Sequence, residues 1–416
     1  MRPAITALVT ALIAAGAAAA ARAEPPRIAA SAAILMDAET GQVLYEKNAD
    51  ERRPIASTTK VMTALIILEH GKLDMMCAAS KHAAQTPQSS IWLQPGEHLR
   101  LEDLLAAILV KSANDACVAA AEAVAGSEAA FVELMNRRAQ ALGATNTHFV
   151  NPNGLYDPRH YSSARDLALI TQVALRVPKF AELVRTKSAA IPWAGKDYER
   201  ALVNKNKLLS MMPSADGVKT GYVRESGQCL VASATRDRWQ LIAVLLDSPD
   251  LWEEAPALLE YGFHDFRALC FARRGEPALT VPVRGGARAQ LRLVPAATLM
   301  LVLPKWSNRG YTPRVELTRS RIAAPVSAGE KMGRMVLTAG NHELTAVDLV
   351  AAETVPRSVL ASVRLGTTWL VFSLFAAAMV VRSYSVTTRK YKYRTGRVRV
   401  KMAPVQQAPR SSASPR

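Results

Sequence analysis

The chain has 416 residues, half of them hydrophobic, and a formal net charge of +17 at pH 7. This length is enough for two folded domains with tails, so it excludes a small scaffold that depends on disulfides for its stability. Ten of the basic residues lie in 382–416, which has no acidic residue, and two more lie in the first 22 residues. The rest of the chain therefore has a formal charge of only +5, and we expect no nucleic-acid partner for it.

The amino-terminal segment has the pattern of an export signal. Arg2 precedes an apolar stretch over 4–21, and Ala21-Arg22-Ala23 matches a small-x-small cleavage site. We predict that residues 1–23 form a signal peptide and that the mature protein begins near Glu24. An uncleaved membrane anchor is the alternative.

The four cysteines are Cys77, Cys117, Cys229 and Cys270, and none of them belongs to a C-x-x-C pair. The sequence has no haem, zinc or redox motif, so we expect neither a metal nor another cofactor. Cys117 and Cys229 lie inside apolar runs, which predicts buried thiols for these two residues.

Two strands are predicted over 31–37 and 42–46, because they flank the turn sequence Glu39-Thr40-Gly41. Three further strands are predicted over 217–222, 229–234 and 241–246, separated by short polar turns. Apolar periodicity predicts helices over 61–70, 101–110, 115–124, 128–142, 164–175 and 251–262. The sequence thus predicts an α+β domain over 24–268, in which a five-stranded antiparallel sheet is packed with helices and a helical lobe borders a cleft.

The carboxyl-terminal third predicts three further segments. Short alternating apolar runs over 276–355 indicate a small all-β domain, which could be a spacer or a partner surface. Residues 365–381 are uncharged and lie between two arginines, which is typical of a membrane-spanning helix; a helix lying in the membrane surface is the alternative. The basic segment 382–416 is expected to be disordered, cytoplasmic and attracted to anionic lipid head groups, although RNA is a conceivable ligand.

A serine and a lysine three residues apart begin the first predicted helix, in the sequence Pro54-Ile55-Ala56-Ser57-Thr58-Thr59-Lys60. Residues three apart lie on one face of a helix, so the Lys60 amine can reach the Ser57 hydroxyl. A neutral lysine could then activate the serine as a nucleophile. The same pair could also be a helix-capping serine beside a solvated lysine.

Two further short motifs suggest a shared cleft. Ser112-Ala113-Asn114 lies between two predicted helices, where a tight loop can project a hydroxyl and an amide. Lys219-Thr220-Gly221 lies on a predicted strand, where glycine permits close approach of a substrate backbone and lysine with threonine can hold a carboxylate. Each motif alone is equally compatible with a structural role.

The order Ser-x-x-Lys, Ser-x-Asn, Lys-Thr-Gly, with gaps of about 50 and 105 residues, resembles the active sites of penicillin-binding proteins and serine β-lactamases. The sequences around these motifs, together with Asn151-Pro152-Asn153-Gly154-Leu155 and 160–168, are similar to the low-molecular-mass D-alanyl-D-alanine carboxypeptidases. The similarity runs roughly from Ser31 to Thr354. A Glu-x-x-Leu-Asn loop, which would favour a β-lactamase, does not occur.

The resemblance implies a serine-type carboxypeptidase on the outer face of the bacterial cell membrane, with peptidoglycan stem peptide as its substrate and β-lactams as covalent inhibitors. Ser57 would be acylated, Lys60 would be the general base helped by the charge of Lys219, and Ser112 would relay a proton. The implied substrate-binding residues are Asn114, Lys219, Thr220, Gly221 and Tyr222, with the backbone amides of Ser57 and Tyr222 as the oxyanion hole.

Two residues differ from the family pattern: Ala113 stands where glycine is usual, and Val223 stands where threonine is common. Neither difference removes a catalytic group. The membrane segment is a larger departure, because many members end in an amphipathic helix. His160 and Asp166 are expected to brace a loop. An endopeptidase that cuts cross-links and a non-catalytic, membrane-anchored wall-peptide sensor remain as alternative functions.

Overall fold

A computed structural model describes residues 24–307, 310–340, 342–358 and 369–385. These residues form two compact units. The larger unit takes in the chain up to Arg273 together with Thr298–Pro313 and Leu337–Leu344. The smaller unit takes in Arg274–Ala297, Arg314–Val336 and the chain from Thr345.

The strands that precede residue 273 are β1 (Ala32–Asp37), β2 (Val43–Lys47), β3 (Met76–Ala78), β4 (His98–Arg100), β5 (Ser188–Ile191), β6 (Arg200–Val203), β7 (Ala215–Val223), β8 (Gly227–Arg236), β9 (Trp239–Ser248) and β10 (Phe266–Ala272). The α-helices are α1 (Lys60–His70), α2 (Lys81–Ala84), α3 (Leu101–Ala106), α4 (Asn114–Ala125), α5 (Glu128–Ala141), α6 (Ala164–Leu175), α7 (Pro178–Arg185), α8 (Leu208–Met211) and α9 (Leu251–Asp265). Helical insertions therefore separate β1 and β2 from β7, β8 and β9, as predicted.

The central sheet has five antiparallel strands in the order β2-β1-β9-β8-β7. Side chains of successive residues in a strand point to opposite faces, and both faces of this sheet are covered. Ile34, Val231 and Val244 belong to one buried cluster, which includes residues of α1, α4, α5 and α6. Leu35 and Leu245 belong to a second cluster, which includes residues of α9. The predicted α+β architecture is confirmed.

The helix predicted over 101–110 is only partly regular. α3 ends at Ala106, and a π-helical turn over Ala107–Lys111 leads to Ser112, whose φ of 68° is left-handed and ends the helix. The π turn is a conformation that sequence periodicity does not reveal, and such turns are frequent at functional sites.

Gly71 ends α1, but not through the left-handed cap that is usual for glycine. Its backbone is extended, with φ −90° and ψ 152°. A Cβ atom at this position would lie 2.4 Å from Cδ2 of Leu101. The same Cβ would lie 2.8 Å from the Ile67 carbonyl oxygen, so close packing against the helix backbone, rather than a left-handed conformation, favours glycine at this position.

The remaining strands are β11 (Leu279–Arg284), β12 (Gln290–Pro295), β13 (Leu299–Pro304), β14 (Thr312–Leu317), β15 (Ile322–Ala323), β16 (Lys331–Ala339) and β17 (His342–Ala351). Six of them form a sheet in the order β14-β16-β17-β12-β11-β15, and β13 pairs with β10. Leu291, Leu293 and Leu349 are fully buried in this region. The prediction of an all-β domain in the carboxyl-terminal part of the chain is confirmed.

Residues 369–385 form a helix with exposed apolar side chains. Across the described residues, we find no helix with the length and apolar character needed to cross a membrane. The predicted spanning segment 365–381 lies in part outside the described residues and stays a prediction. The predicted signal peptide and residues 386–416 of the basic tail also lie outside them.

Candidate active site

Ser57 lies on a tight 3₁₀ turn, Ala56–Thr59, immediately before α1. Ala56 has a left-handed φ of 45°, which is unusual for a residue with a side chain. Two hydroxyls stabilise the turn: Thr58 Oγ1 donates to the Ile55 carbonyl at 2.6 Å, and Thr59 Oγ1 donates to the Ala56 carbonyl at 2.8 Å. The half-buried Ser57 is thereby fixed at the amino end of a helix.

Lys60 is fully buried, and its Nζ has three partners. Nζ lies 2.9 Å from Ser57 Oγ, 2.8 Å from Asn114 Oδ1 and 2.6 Å from the carbonyl oxygen of Asn153. The amide and carbonyl oxygens can only accept, whereas the serine hydroxyl can also donate. A neutral amine therefore fits the site completely, because it donates two hydrogens to the oxygens and accepts the serine proton.

The pKa of Lys60 is lowered to about 8, mainly because the buried charged form loses its hydration, and the positive charge of Lys205 acts in the same direction. Burial also lowers the pKa of Lys219 well below its usual range, and the charge of Lys60 acts in the same direction. The sequence had suggested Lys219 as the cation that assists Lys60. The cation that lowers the pKa of Lys60 in the structure is Lys205, which the motif search missed, and the assisting role of Lys219 stays a prediction.

The second motif lies directly opposite the lysine. Asn114 begins α4, accepts the hydrogen bond from Lys60 and donates from Nδ2 to the Pro87 carbonyl at 2.9 Å. Its backbone N–H donates to the Ser89 carbonyl at 2.7 Å. The left-handed Ser112 is 4% exposed and lines the cleft described below.

Strand β7 contributes the third motif. Lys219 is buried, and its Nζ donates to the Thr220 carbonyl at 3.0 Å. A Cβ atom on Gly221 would lie 3.0 Å from both the Ser57 backbone nitrogen and the Ile55 carbonyl oxygen. β7 therefore runs against the serine turn, and a side chain at this position would require the two backbone segments to move apart. Tyr222 is 68% exposed at the next position.

A cleft of about 530 Å³ joins these elements. Of the predicted site residues, Ser57, Ser112, Asn114, Thr220, Gly221 and Tyr222 line it. Lys60 and Lys219 lie buried behind its wall, with Lys60 in contact with Ser57. Sequence reasoning did not assign Gln88, Ser89, Lys205, Gln228, Leu251 and Trp252, which complete the lining.

The loop between α5 and α6 packs against the serine turn and binds Lys60. Gly154 has a φ of +84°, and a Cβ atom on it would lie 2.0 Å from the Ala56 carbonyl oxygen. Its neighbour Asn153 supplies the carbonyl that binds Lys60, a contact that only the folded structure reveals. His160 braces this loop as expected, with Nε2 at 2.8 Å from Thr59 Oγ1, and burial lowers its pKa to about 4. Asp166 accepts hydrogen bonds from Thr147 Oγ1 and the Asn146 N–H, also as a brace.

No group of three or more His, Cys, Asp or Glu residues suited to a metal ion occurs in the part of the chain that the structure describes. Cys117 and Cys229 are buried free thiols, as predicted; Cys77 is buried and Cys270 is exposed. The cleft presents the hydroxyls of Ser57, Ser89, Ser112 and Thr220 and the amide of Asn114.

Comparison with known proteins supports this chemistry. The family model for D-alanyl-D-alanine carboxypeptidase matches residues 19–250, and the model for the C-terminal domain of penicillin-binding protein 5 matches residues 266–357. The D-alanyl-D-alanine carboxypeptidase DacF of Bacillus subtilis is 34% identical over 332 residues, which cover 78% of this chain and 85% of DacF. DacA of Escherichia coli is 32% identical over 346 residues, which cover 80% of this chain and 85% of DacA.

A solved structure agrees with these relatives. The crystal structure of penicillin-binding protein 5 from Haemophilus influenzae aligns with a TM-score of 0.64 and 30% identity, covering 80% of this chain and 99% of that chain. The first family model alone spans more than half of the chain. The chain therefore belongs to the D-alanyl-D-alanine carboxypeptidase family of low-molecular-mass penicillin-binding proteins.

Proposed function

We propose that this protein removes the terminal D-alanine from peptidoglycan pentapeptide stems through an acyl-enzyme on Ser57. The observation that carries the proposal is the 2.9 Å contact between Ser57 Oγ and the buried amine of Lys60. A nucleophile in hydrogen-bond contact with a base, which is itself oriented by third groups, is the arrangement that activates a serine. Asn114 and the Asn153 carbonyl are those third groups.

In the acylation step, Ser57 Oγ attacks the carbonyl carbon of the penultimate D-alanine while its proton passes to the neutral amine of Lys60. The oxyanion that forms accepts hydrogen bonds from the backbone N–H groups of Ser57 and Tyr222. The close approach of Gly221 to the Ser57 nitrogen supports this role for the two N–H groups. Donors fixed in advance at a developing charge are commonly a major source of catalysis.

The terminal carboxylate binds beside Thr220 and Lys219. A substrate carboxylate near Lys219 favours the protonated amine and so offsets part of the effect of burial on its pKa. Lys205 lines the same cleft, and its Nζ donates to Ser89 Oγ at 3.3 Å. It adds a second positive charge for an anionic substrate.

The C–N bond breaks as the protonated Lys60 passes the proton taken from Ser57, through the hydroxyl of Ser112, to the departing D-alanine nitrogen; Ser112 lines the cleft. The neutral Lys60 then accepts a proton from the water that attacks the ester carbonyl, and it passes this proton to Ser57 Oγ as the ester C–O bond breaks and the stem peptide leaves. Ser57 and Lys60 thereby end the cycle in their starting protonation states. β-Lactams acylate Ser57 in the first of these steps.

The test is to compare the full-length protein with Ser57→Ala. We expect the wild type to release D-alanine from a pentapeptide and to be labelled by fluorescent penicillin, and we expect the variant to do neither. Absence of both activities in the wild type would favour the non-catalytic sensor. Mass spectrometry of products from a cross-linked muropeptide dimer separates the carboxypeptidase from the endopeptidase.

We further propose an extracytoplasmic location, with the carboxyl-terminal helix at the membrane and the basic tail on anionic lipid. Support comes from the apolar side chains exposed on helix 369–385, among them Trp369, Phe372 and Phe375. Surfaces of this kind in soluble proteins mark membrane or protein contacts.

A further inference from the structure

An exposed aromatic cluster lies beside the catalytic cleft and has no part in the mechanism above. Trp92 and Trp193 stack with ring centroids 6.4 Å apart and planes within 12°. Tyr198 meets Trp193 edge to face at 5.7 Å. Trp92 is 59% exposed and Tyr198 is 56% exposed. These three residues are called the aromatic platform below.

The backbone of Trp92 has a conformation that is unfavourable for its residue type. Its φ of 58° is left-handed, which is a strained conformation for a bulky residue. The buried carboxylate of Asp115 fixes both sides of it by accepting the backbone N–H groups of Ile91 and Leu93, each at 3.1 Å. The backbone N–H of Trp92 donates to Ser90 Oγ at 2.7 Å. Such strain persists where the surroundings enforce it, and it concentrates at functional sites.

Trp193 and Tyr198, on the other side of the platform, are also fixed by neighbouring residues. Trp193 and Tyr198 lie on the loop between β5 and β6, and the guanidinium of Arg200 lies 4.9 Å from the Trp193 ring centroid. Arg200 is itself buried in an ion pair with Glu97 at 2.9 Å. The three rings are therefore held in place, with Trp92 and Tyr198 exposed and Trp193 half-buried between them.

The platform is continuous with the catalytic motif. Lys111, the residue before Ser112, places its Nζ 5.8 Å from the centroid of the Trp92 ring. Ser89, which lines the cleft, donates from Oγ to the Lys111 carbonyl at 3.3 Å. Through Lys111 and Ser89, the Trp92 ring is therefore linked by two contacts to the lining of the cleft.

We propose that the aromatic platform binds the sugar rings of the glycan strand to which the stem peptide is attached, an inference that rests on the proposed function. Four extended residues span at most roughly 14 Å, so the sugar of a bound stem must lie near the mouth of the cleft. The faces of aromatic rings carry negative potential and attract the C–H groups of a sugar ring. Three rings bordered by the charged residues Lys196, Asp197 and Glu199 suit one or two sugars better than a protein interface of about 800 Å² per partner.

The experiment compares the full-length wild type with Trp92→Ala and Tyr198→Ala on two substrates, the free pentapeptide and the same pentapeptide carried on its disaccharide. Trp306→Ala is the matched control, because Trp306 is 52% exposed and lies outside the platform. We expect each platform variant to lose about three- to tenfold in kcat/KM on the disaccharide substrate alone. Its turnover of the free pentapeptide and its penicillin labelling remain at the wild-type level.

Three outcomes would overturn the inference. Equal losses on both substrates would mean that the rings only support the Ser112 loop, and no loss on either would mean that they do not meet the sugar. A change in oligomeric state of the variants would assign the platform to a protein interface. Saturation-transfer NMR with a peptide-free N-acetylglucosamine oligomer tests sugar binding by the platform without any turnover. A wild type that binds the sugar but does not release D-alanine would therefore contradict the proposed function and not the platform.

Discussion

Lys60 combines complete burial with a hydrogen-bond set that is best satisfied by the neutral amine. Two oxygens that can only accept and one hydroxyl that can donate surround Nζ. The pKa of about 8 follows first from loss of hydration. At this residue, local geometry and electrostatics therefore favour the same protonation state, which is the state of a general base.

The rate of penicillin acylation should consequently depend on pH. Only the neutral form of Lys60 can take the serine proton, so the second-order rate constant should rise about tenfold per pH unit below pH 8 and level off above it. Stopped-flow labelling with fluorescent penicillin between pH 6 and 9.5 measures this profile. Lys60→Arg keeps the charge but cannot give up its proton, so its rate should be roughly 10³-fold below the wild-type plateau and should not show the rise towards pH 8. A wild-type rate that falls as pH rises would exclude Lys60 as the base.

The residue scale also marks the limit of sequence reasoning at this site. Short motifs with fixed spacing identified Ser57, Lys60 and Asn114 in the sequence. The Asn153 carbonyl reaches Lys60 across 93 positions of sequence, and a backbone oxygen has no sequence signature. Lys205 is one of 52 basic residues, and only folding distinguishes it from the solvated ones.

At the scale of elements, the fit of β7 against the serine turn depends on one missing methyl group. In Gly221→Ala, the added Cβ would lie 3.0 Å from two backbone atoms, neither of which belongs to a flexible side chain. We expect penicillin labelling to slow at least tenfold, with a loss of about 1–3 kcal/mol in the free energy of unfolding, because β7 and the turn must separate. Gly310→Ala is the control, since open space surrounds that position. Labelling of Gly221→Ala at the wild-type rate would contradict the proposed strand contact.

A second element, the segment before β4, depends on a buried ion pair. Glu97 and Arg200 are each 1% exposed at their side chains, and the Oε2 atom of Glu97 also accepts the Gln94 N–H at 2.9 Å. Glu97→Ala leaves the arginine charge buried without its partner, so we expect the free energy of unfolding to fall by about 3–5 kcal/mol. Urea denaturation measures this change. Glu133→Ala breaks an exposed helical pair with Arg137 and should cost no more than about 0.5 kcal/mol. Similar losses of unfolding free energy in the two variants would show that burial does not determine how much an ion pair contributes to stability.

The elements themselves were largely predictable because their hydrophobic patterns are local. The strands of the central sheet and α6 follow alternating or helical apolar runs, and tertiary packing agrees with those runs. The π turn before Ser112 was missed because residues 104–110 form an unbroken apolar run, in which an extra residue in one turn produces no visible shift of the apolar pattern. β10 follows α9 directly, from Asp265 to Phe266, so no linker composition marks the change from helix to strand.

For the whole molecule, every residue of the candidate site lies in the larger unit, between Ser57 and Trp252. The carboxyl-terminal helix 369–385 contributes none of them. Its apolar side chains include Trp369 at 72% and Phe372 at 71% exposure, so water contacts a surface that lipid would bury favourably. We therefore expect catalysis to depend on the larger unit and membrane attachment to depend on the carboxyl-terminal segment.

Deletion of residues 359–416 tests this separation. We expect the full-length protein to sediment with anionic vesicles and the truncated protein to stay in the supernatant, while both release D-alanine from pentapeptide at equal rates. Retention of the full-length protein in the membrane pellet after alkaline carbonate treatment would indicate a spanning helix, and its release would indicate a helix lying in the interface. Full-length protein that fails to sediment would refute the membrane role. Slower D-alanine release after truncation would instead mean that the carboxyl-terminal segment supports the active site, because no substrate-lining residue has been removed.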